Sequence, residues 1–543
     1  MVIRINNNIA NFDPYFASGT TNINSAWMER LTMDNWKTDP AAFDFKIPYH
    51  PDEFVVGCLA QSWEFTQPTT IVYHLRQGVN WQNIPPANGR EFVADDVVFN
   101  FDRRYGLGDG FTKVSPFNAD NGVFQYLVSV TAVDKYTVAF DWKIPNPEFI
   151  MQTLQEVVDN ALCLANSDAV KLWGDVSDWH HAIGTGPFIL NDFVSGSSAT
   201  LVKNPNYWGY DEHYPQNRLP YVDTIKYLTI PDNATAMAAM RTGKIDVMDA
   251  VALQDAQTMQ KSNPEILQTP IAQFGACTID PRNDVAPYKD IRVRRAMQLA
   301  LDLPTLAKTY YSGTTDPYPL SLTSPNMPGW GFPYSAWPQD LKDEYAYNPT
   351  AAKKLLTDAG FPSGFKTDIV AQETADFNLL QIIKSYFLAI GIDMDIQKMD
   401  SATFTTFVKT NHKQDALAVR PSSFLGISYE PTRQFTVFAT GVVSNYINVS
   451  DPVFDTFGPK GMAATTVDQL KQVIKDENEY VARQHYVIAL VQSPLFFSVQ
   501  PWLKGYNGQW AAITGTSNGG PTLIFCYAAR FWIDQSIKKS SGH

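Results

Sequence analysis

Two open α/β lobes with an early β-rich addition is the fold class the chain predicts, and three observations carry it. The first is size: 543 residues, 45% hydrophobic and 18% charged, exceed what one core organises and are too apolar for disorder, so two or three lobes are expected. The second is a recurring unit, a helix stopped by glycine and followed by an alternating strand, in two separated regions. The third is a group of β-rich runs between Leu59 and Asn83. Helices feeding strands build open α/β sheets, and their return far along the chain calls for a second sheet.

The β-rich runs come first. "LAQSWEF" and "TIVYHLR" flank the breaker Gln67-Pro68, and in the second run Ile71, Tyr73 and Leu75 alternate with Val72, His74 and Arg76, the period of a half-buried strand. "FVADDVVFNFDRRY" follows, where Asp95 and Asp96 precede Val98, Phe99 and Phe101. Acidic residues at that place complement a helix dipole, so the pair reads as capping groups and not as an acid/base couple. "GTGPFILNDF" and "SATLVKNPNYW" predict two strands joined by a polar turn. From Asn233 the Ala/Met-rich "NATAMAAMR" predicts a helix, Gly243 its stop, and Ile245 and Val247 around Asp246 a strand. "YNPTAAKKLLTDAG" repeats the pattern with Asn348 as cap, Pro349 in the first turn and Gly360 as stop. In "DFNLLQIIKSYFLAIGIDMDIQKM", Phe377, Leu380, Ile383, Phe387 and Ile390 share one helix face; after Gly391, Ile392, Met394 and Ile396 alternate with acids.

The composition narrows the function. A net charge of −13 with no basic run disfavours nucleic acid, whose phosphates are held by clustered Lys and Arg. The apolar window His485 to Leu503 is broken by Gln492, Pro494, Gln500 and Pro501, short of the roughly 20 unbroken apolar residues of a spanning helix. The start "MVIRINNNIANFDPY" lacks the pattern of a signal peptide, which leaves a cytoplasmic protein or a removed leader as the two readings. Cys58, Cys163, Cys277 and Cys526 are isolated, without zinc spacing; disulfides and buried thiols both remain open for them.

No catalytic constellation is expected. Gly184 and Gly186 in "GTGPFIL" are followed by Pro187 and a strand, where a phosphate loop would offer Lys-Ser or Lys-Thr and a helix N-terminus, so they read as a turn. "GTSNG" around Ser517 has the spacing of a nucleophile elbow, but only Asp534 and His543 follow as partners, and a surface loop is the better account. His180 and His181 are adjacent, a poor ligand spacing, and "DMDIQKMD" lacks the glycine and closing Glu of a calcium loop. No metal and no cofactor are expected.

A series of blocks, in order along the chain, resembles the family 5 extracellular solute-binding proteins, the peptide- and nickel-binding type of ABC importers. It runs from "FDPYFAS" through "LAQSWEF", "YHLRQGVNW", "FVADDVVFNFDR", "GTGPFIL", "LVKNPNYWG", "MRTGKIDV" and "PYKDIRVRRAMQLALD" to "YNPTAAKKLLTDAGFPSGF" and "IGIDMDIQ". The resemblance implies a two-lobed fold like that of type II periplasmic binding proteins with an inserted β-rich domain. Lobe I would combine residues 1–45, 180–272 and 487–543, the insert would be 46–179, and lobe II 273–486. It also implies hinge closure on a ligand, delivery to a membrane permease, and no bond chemistry. The implied partners are a small-molecule or short-peptide ligand and that permease, with no nucleic acid and the protein a monomer. The implied location is the periplasm or the outer face of the cell membrane, with a lipid anchor left open. A receptor that samples peptides without import is the alternative task, and a Ser517-dependent hydrolase the alternative chemistry.

The resemblance also nominates ligand-binding residues. Peptide binders of the family hold the α-amine with an Asp in a "W-x-x-D-Y-x-x-P" type stretch. The matching text is "SFLGISYEPTRQF", with Phe424 in the Trp position and Ile427 in the place of the acid, while Glu430, Pro431 and Thr432 fit. An apolar side chain cannot offset the desolvation of an ammonium group, so the ligand is expected to lack a free α-amine, as an oligosaccharide or another polar organic solute does. Ser18, Thr20 and Trp27 are expected to line the cleft from the first lobe, with a core role for Trp27 as the alternative. From the second lobe come Asp280, Arg420, Phe424, Ile427 and Ser428, Arg420 as a partner for a ligand carboxylate.

Overall fold

The computed structural model describes residues 1–543 apart from 7, 17–18, 44–48, 50, 117–125, 147–149, 152–162, 272–277, 374, 411–416, 421–424, 427–430, 443–444, 507–526 and 543. Two compact units emerge: Met1–Ala272 with Leu495–His543, and Gln273–Pro494. The chain therefore passes from one unit to the other twice.

The first unit is built on a seven-stranded sheet with spatial order Leu267–Ile271, Leu495–Val499, Val247–Ala252, Val2–Ile5, Thr224–Thr229, Ser198–Lys203 and Phe188–Val194. Val2–Ile5 lies near the middle and pairs in parallel with Thr224–Thr229, Ile3 facing Tyr227. Its other neighbour, Val247–Ala252, is also parallel. Central strands covered on both faces read as apolar runs, and Ile3, Ile225, Tyr227 and Val247 are each fully buried. The predicted hairpin from Phe188 to Lys203 forms one edge. The predicted helix of Asn233–Arg241 is capped by Asp232, whose side chain accepts from Thr235 N. The strand expected around Asp246 begins at Val247, so Ile245 precedes it in the core and not in the ladder.

A separate four-stranded antiparallel sheet in the same unit follows the order Ala60–Gln67, Thr70–Leu75, Thr137–Trp142 and Leu127–Asp134. Ile71, Tyr73 and Leu75 all point inward, as their alternation predicts. The helix Ala94–Tyr105 packs on this sheet. Asp96 does more than cap it: its Oδ2 accepts from Val93 N at 3.1 Å, and the carboxylate also receives Arg90, Ser167 Oγ and Trp81 Nε1.

The two glycines of "GTGPFIL" have a reason other than a turn alone. A Cβ on Gly184 would lie 1.8 Å from the Trp27 carbonyl oxygen, and one on Gly186 2.7 Å from it. Gly186 N donates to that same oxygen at 2.9 Å. Glycine is present because two backbones meet there, with no room for a side chain.

The second unit carries a five-stranded sheet ordered Ile392–Met399, Phe365–Gln372, Leu417–Arg420, Thr278–Pro281 and Ile488–Ala489. Phe365–Gln372 pairs in parallel with both of its neighbours. The helix Pro349–Asp358 starts as predicted, Asn348 accepting from Ala351 N at 3.0 Å. The helix Phe377–Ala389 hands over through Gly391, at φ 94°, to Ile392–Met399. A positive φ there is strained for any residue with a Cβ, which explains the stop.

Candidate functional site

In the first unit the loop after Val2–Ile5, which carries the nominated Ser18 and Thr20, is preceded by a buried ion pair. Asp13 Oδ1 and Oδ2 accept from Arg103 Nη1 and Nη2 at 2.9 and 2.6 Å, from the helix of the β-rich part. Both side chains are buried, and the carboxylate also accepts from Tyr15 N and Val176 N. The Arg103 guanidinium lies 4.6 Å from the centre of the Tyr15 ring. A bidentate pair of this kind fixes orientation as well as charge. Of the nominated residues, Thr20 lies in the 3-10 helix Gly19–Ala26, of which the backbone is described; Ser18 is outside the described residues. Trp27 follows that helix and is fully buried in the core with Phe12, Phe188 and Leu201. Its indole Nε1 has no hydrogen-bond partner among the described residues.

Two residues after Trp27 stands a residue the sequence reading missed. Glu29 is buried and accepts from Tyr207 Oη at 2.9 Å, Trp208 Nε1 at 3.0 Å and, more weakly, Cys58 Sγ at 3.7 Å. Burial pushes its carboxyl up from the ordinary range, against the hydrogen bonds of Trp208, Thr185, Tyr207 and Cys58. The Cys58 thiol is pushed well up by the same burial and then by the Glu29 charge. Glu29, Arg30, Cys58 and Tyr207 line a cavity of about 30 Å³, room for a water molecule and no larger solute. Cys58 and Cys163 are both free and buried. A thiol raised by burial is a weaker nucleophile than an exposed one, and the bonds that Glu29 accepts tie its segment to Tyr207 and Trp208.

In the second unit the structure brings two of the nominated positions onto neighbouring strands. Thr278 pairs with Arg420 and Asp280 with Ala418 across the antiparallel pair. Asp280 is fully buried, its Oδ2 accepting from Tyr446 Oη at 2.5 Å and its Oδ1 from Thr278 Oγ1. These two bonds tie it to its own strand and to the segment of Tyr446. Phe424, Ile427 and Ser428 lie outside the described residues, as does Ser517. Among the described residues no cluster of His, Cys, Asp and Glu could hold a metal ion, and no helix is long and apolar enough to cross a membrane.

Residues 55–445 match the family described as bacterial extracellular solute-binding proteins, family 5 Middle. The dipeptide-binding protein of Escherichia coli (strain K12) is 26% identical over 473 residues, 83% of each chain. Heme-binding protein A of Haemophilus influenzae is 24% identical over 465 residues, 82% of this chain and 81% of that one. Among solved structures, the periplasmic binding protein DppA from Helicobacter pylori in complex with the peptide STSA superposes with a TM-score of 0.74 over 98% of both chains at 19% identity. The oligopeptide-binding protein AppA from Bacillus subtilis in complex with a nonapeptide gives 0.71 over 98% of this chain and 99% of its own, at 18% identity. MoaA from A. tumefaciens R10 in complex with mannopinic acid gives 0.71 over 98% of both, at 19% identity. The fold is that of the periplasmic binding proteins, two-lobed and of type II-like architecture.

Proposed function

Because the chain belongs to the bacterial extracellular solute-binding proteins of family 5, we propose that it captures a small polar organic solute, of the oligopeptide or oligosaccharide class, outside the cytoplasm and hands it, unaltered, to the permease of an ABC importer. The match over residues 55–445 is the observation that carries this reading. The relatives' names add the class: they bind dipeptides, heme and glutathione, and the superposed structures hold peptides and mannopinic acid. Glu29 and Asp280 are both buried and accept hydrogen bonds from Tyr207, Trp208 and Tyr446, which supports a structural part for them.

The solute is read as one without a free α-amine. Ile427 stands where peptide binders carry the acid for that group, and an ammonium left beside an alkyl side chain loses its hydration without return. Titration calorimetry decides it, with three sets of probes: unblocked tri- to pentapeptides, their N-acetylated counterparts, and malto-oligosaccharides. Binding near the micromolar range by a blocked peptide or a sugar, at least about tenfold tighter than by the unblocked peptides, is expected. Tight binding confined to unblocked peptides would remove the α-amine argument, and turnover of any probe would remove the transport reading itself.

A further inference from the structure

We propose that the loop of residues 106–111 is a pH-sensitive flap, closed on the Asp102 carboxyl while that group holds its proton and released when the group ionises. Asp102 stands in the last turn of the helix Ala94–Tyr105 and is 8% exposed. None of the described residues donates a hydrogen bond to its carboxyl oxygens. The loop backbone rests on them instead: a Cβ on Gly108 would lie 2.5 Å from Oδ2 and 3.3 Å from Oδ1, so no side chain fits there.

Both ends of the flap are pinned. Gly106 N and Leu107 N donate to the Asp102 carbonyl oxygen at 2.8 and 3.2 Å, and Ser115 N donates to that of Arg104 at 2.7 Å. The Phe111 ring meets Phe99 of the same helix edge-on, with centres 5.6 Å apart. At the tip, Phe111 N donates to Gly108 O at 2.8 Å, and Asp109 sits at φ 54°, a region unfavourable for a residue with a Cβ. A short loop with fixed ends and a strained tip can open without unfolding the helix it leans on.

Charge supplies the trigger. Burial first, and then the negative charge of Asp109, push the Asp102 carboxyl up to about 6. The other charged groups on the elements around it do not offset this. On its own helix Arg103 donates to Asp13, and neither Arg104 nor Lys113 of the loop bonds to the carboxyl. On Ser167–Trp173, Asp168 pairs with Arg90 and Lys171 lies over the Phe99 ring. On the strands against the helix, Asp141 accepts from Thr70 and Ser129, and Asp134 from Tyr136 N. The proton leaves more easily with the flap open, where the carboxyl has the ordinary Asp value of about 3.9. Closure is therefore strongest below that pH, weakens as pH rises, and levels off once about 6 is passed.

Hydrogen exchange of the full chain, read by mass spectrometry and corrected for the intrinsic rate at each pH, tests this through the Leu107 and Phe111 amides. Their protection is expected to fall about tenfold or more between about pH 4.5 and 7.5, while that of the strand Thr70–Leu75 stays level. In Asp102→Asn, which has no proton to lose, the protection seen in acid should persist at neutral pH. Asp109→Asn, at an exposed position, should reduce the fall, and it is the second variant should Asp102→Asn disturb the helix end. Equal wild-type protection at both pH values overturns the flap. So does a fall that survives undiminished in Asp102→Asn or, where that variant frays the helix, in Asp109→Asn.

Discussion

Glu477 shows how one side chain sets a pH dependence. It sits in the helix Val467–Gln484, fully buried, and neither carboxyl oxygen has a hydrogen-bond partner among the described residues. Burial alone pushes its carboxyl well above the ordinary range. The folded protein therefore keeps a proton that the unfolded chain releases above about pH 4.3. Stability contributed by this group is full below that pH and declines as pH rises toward the folded-state value, by about 1.4 kcal/mol per pH unit. Glu477→Gln carries no such slope. Denaturation midpoints followed upward from about pH 4.5 should show the variant gaining on the wild type until the folded-state value is passed, and parallel curves would refute the assignment. Nothing in "KDENEYV" distinguishes Glu477 from Glu479 by residue type; only the helix phase against the core does.

At the scale of elements, a buried ion pair is among the contacts that join the segment after the first strand to the β-rich part. Arg103, on the helix Ala94–Tyr105, reaches Asp13 in "FDPYFAS" across 90 residues of chain. Both charges are out of water, so removing one leaves the other stranded, a loss of roughly 3–5 kcal/mol. Arg103→Met should destabilise the first unit by that order in chemical denaturation. Adding Asp13→Asn, which removes the orphaned charge, should restore at least about 1 kcal/mol, a coupling between directly contacting residues. Strictly additive losses would show that the pair does not act as a unit. The elements themselves were largely legible. Alternation predicted the strand around Ile71, Tyr73 and Leu75, and Asn348 with Gly360 bracketed a helix, because caps and periods are local properties of the backbone. Gly184 was legible as glycine but not in its reason, since the Trp27 carbonyl that excludes a Cβ comes from far away in sequence.

For the whole molecule, the proposed capture predicts a linked gain in stability and a change in size. At a ligand concentration about 100 times Kd, a solute that binds only the folded protein adds about 2.7 kcal/mol. A best-binding probe from the calorimetric panel should therefore raise the melting temperature and lower the radius of gyration in small-angle scattering; a bound solute that changes neither would speak against closure. By itself the sequence determined the two sheet-bearing regions, the β-rich addition, the capped helices and the kinship with family 5, all of which rest on short periods and ordered blocks. Only the tertiary structure decided that Val2–Ile5 enters the sheet between strands more than two hundred residues away, or that Glu29 lies among Cys58, Tyr207 and Trp208. It alone decided that Trp36, Tyr214 and Trp532 meet around one pocket. The reason is physical. A backbone period is written in neighbouring residues, whereas a buried acid or an aromatic pocket draws its partners from distant segments, and no local pattern records which of them will meet.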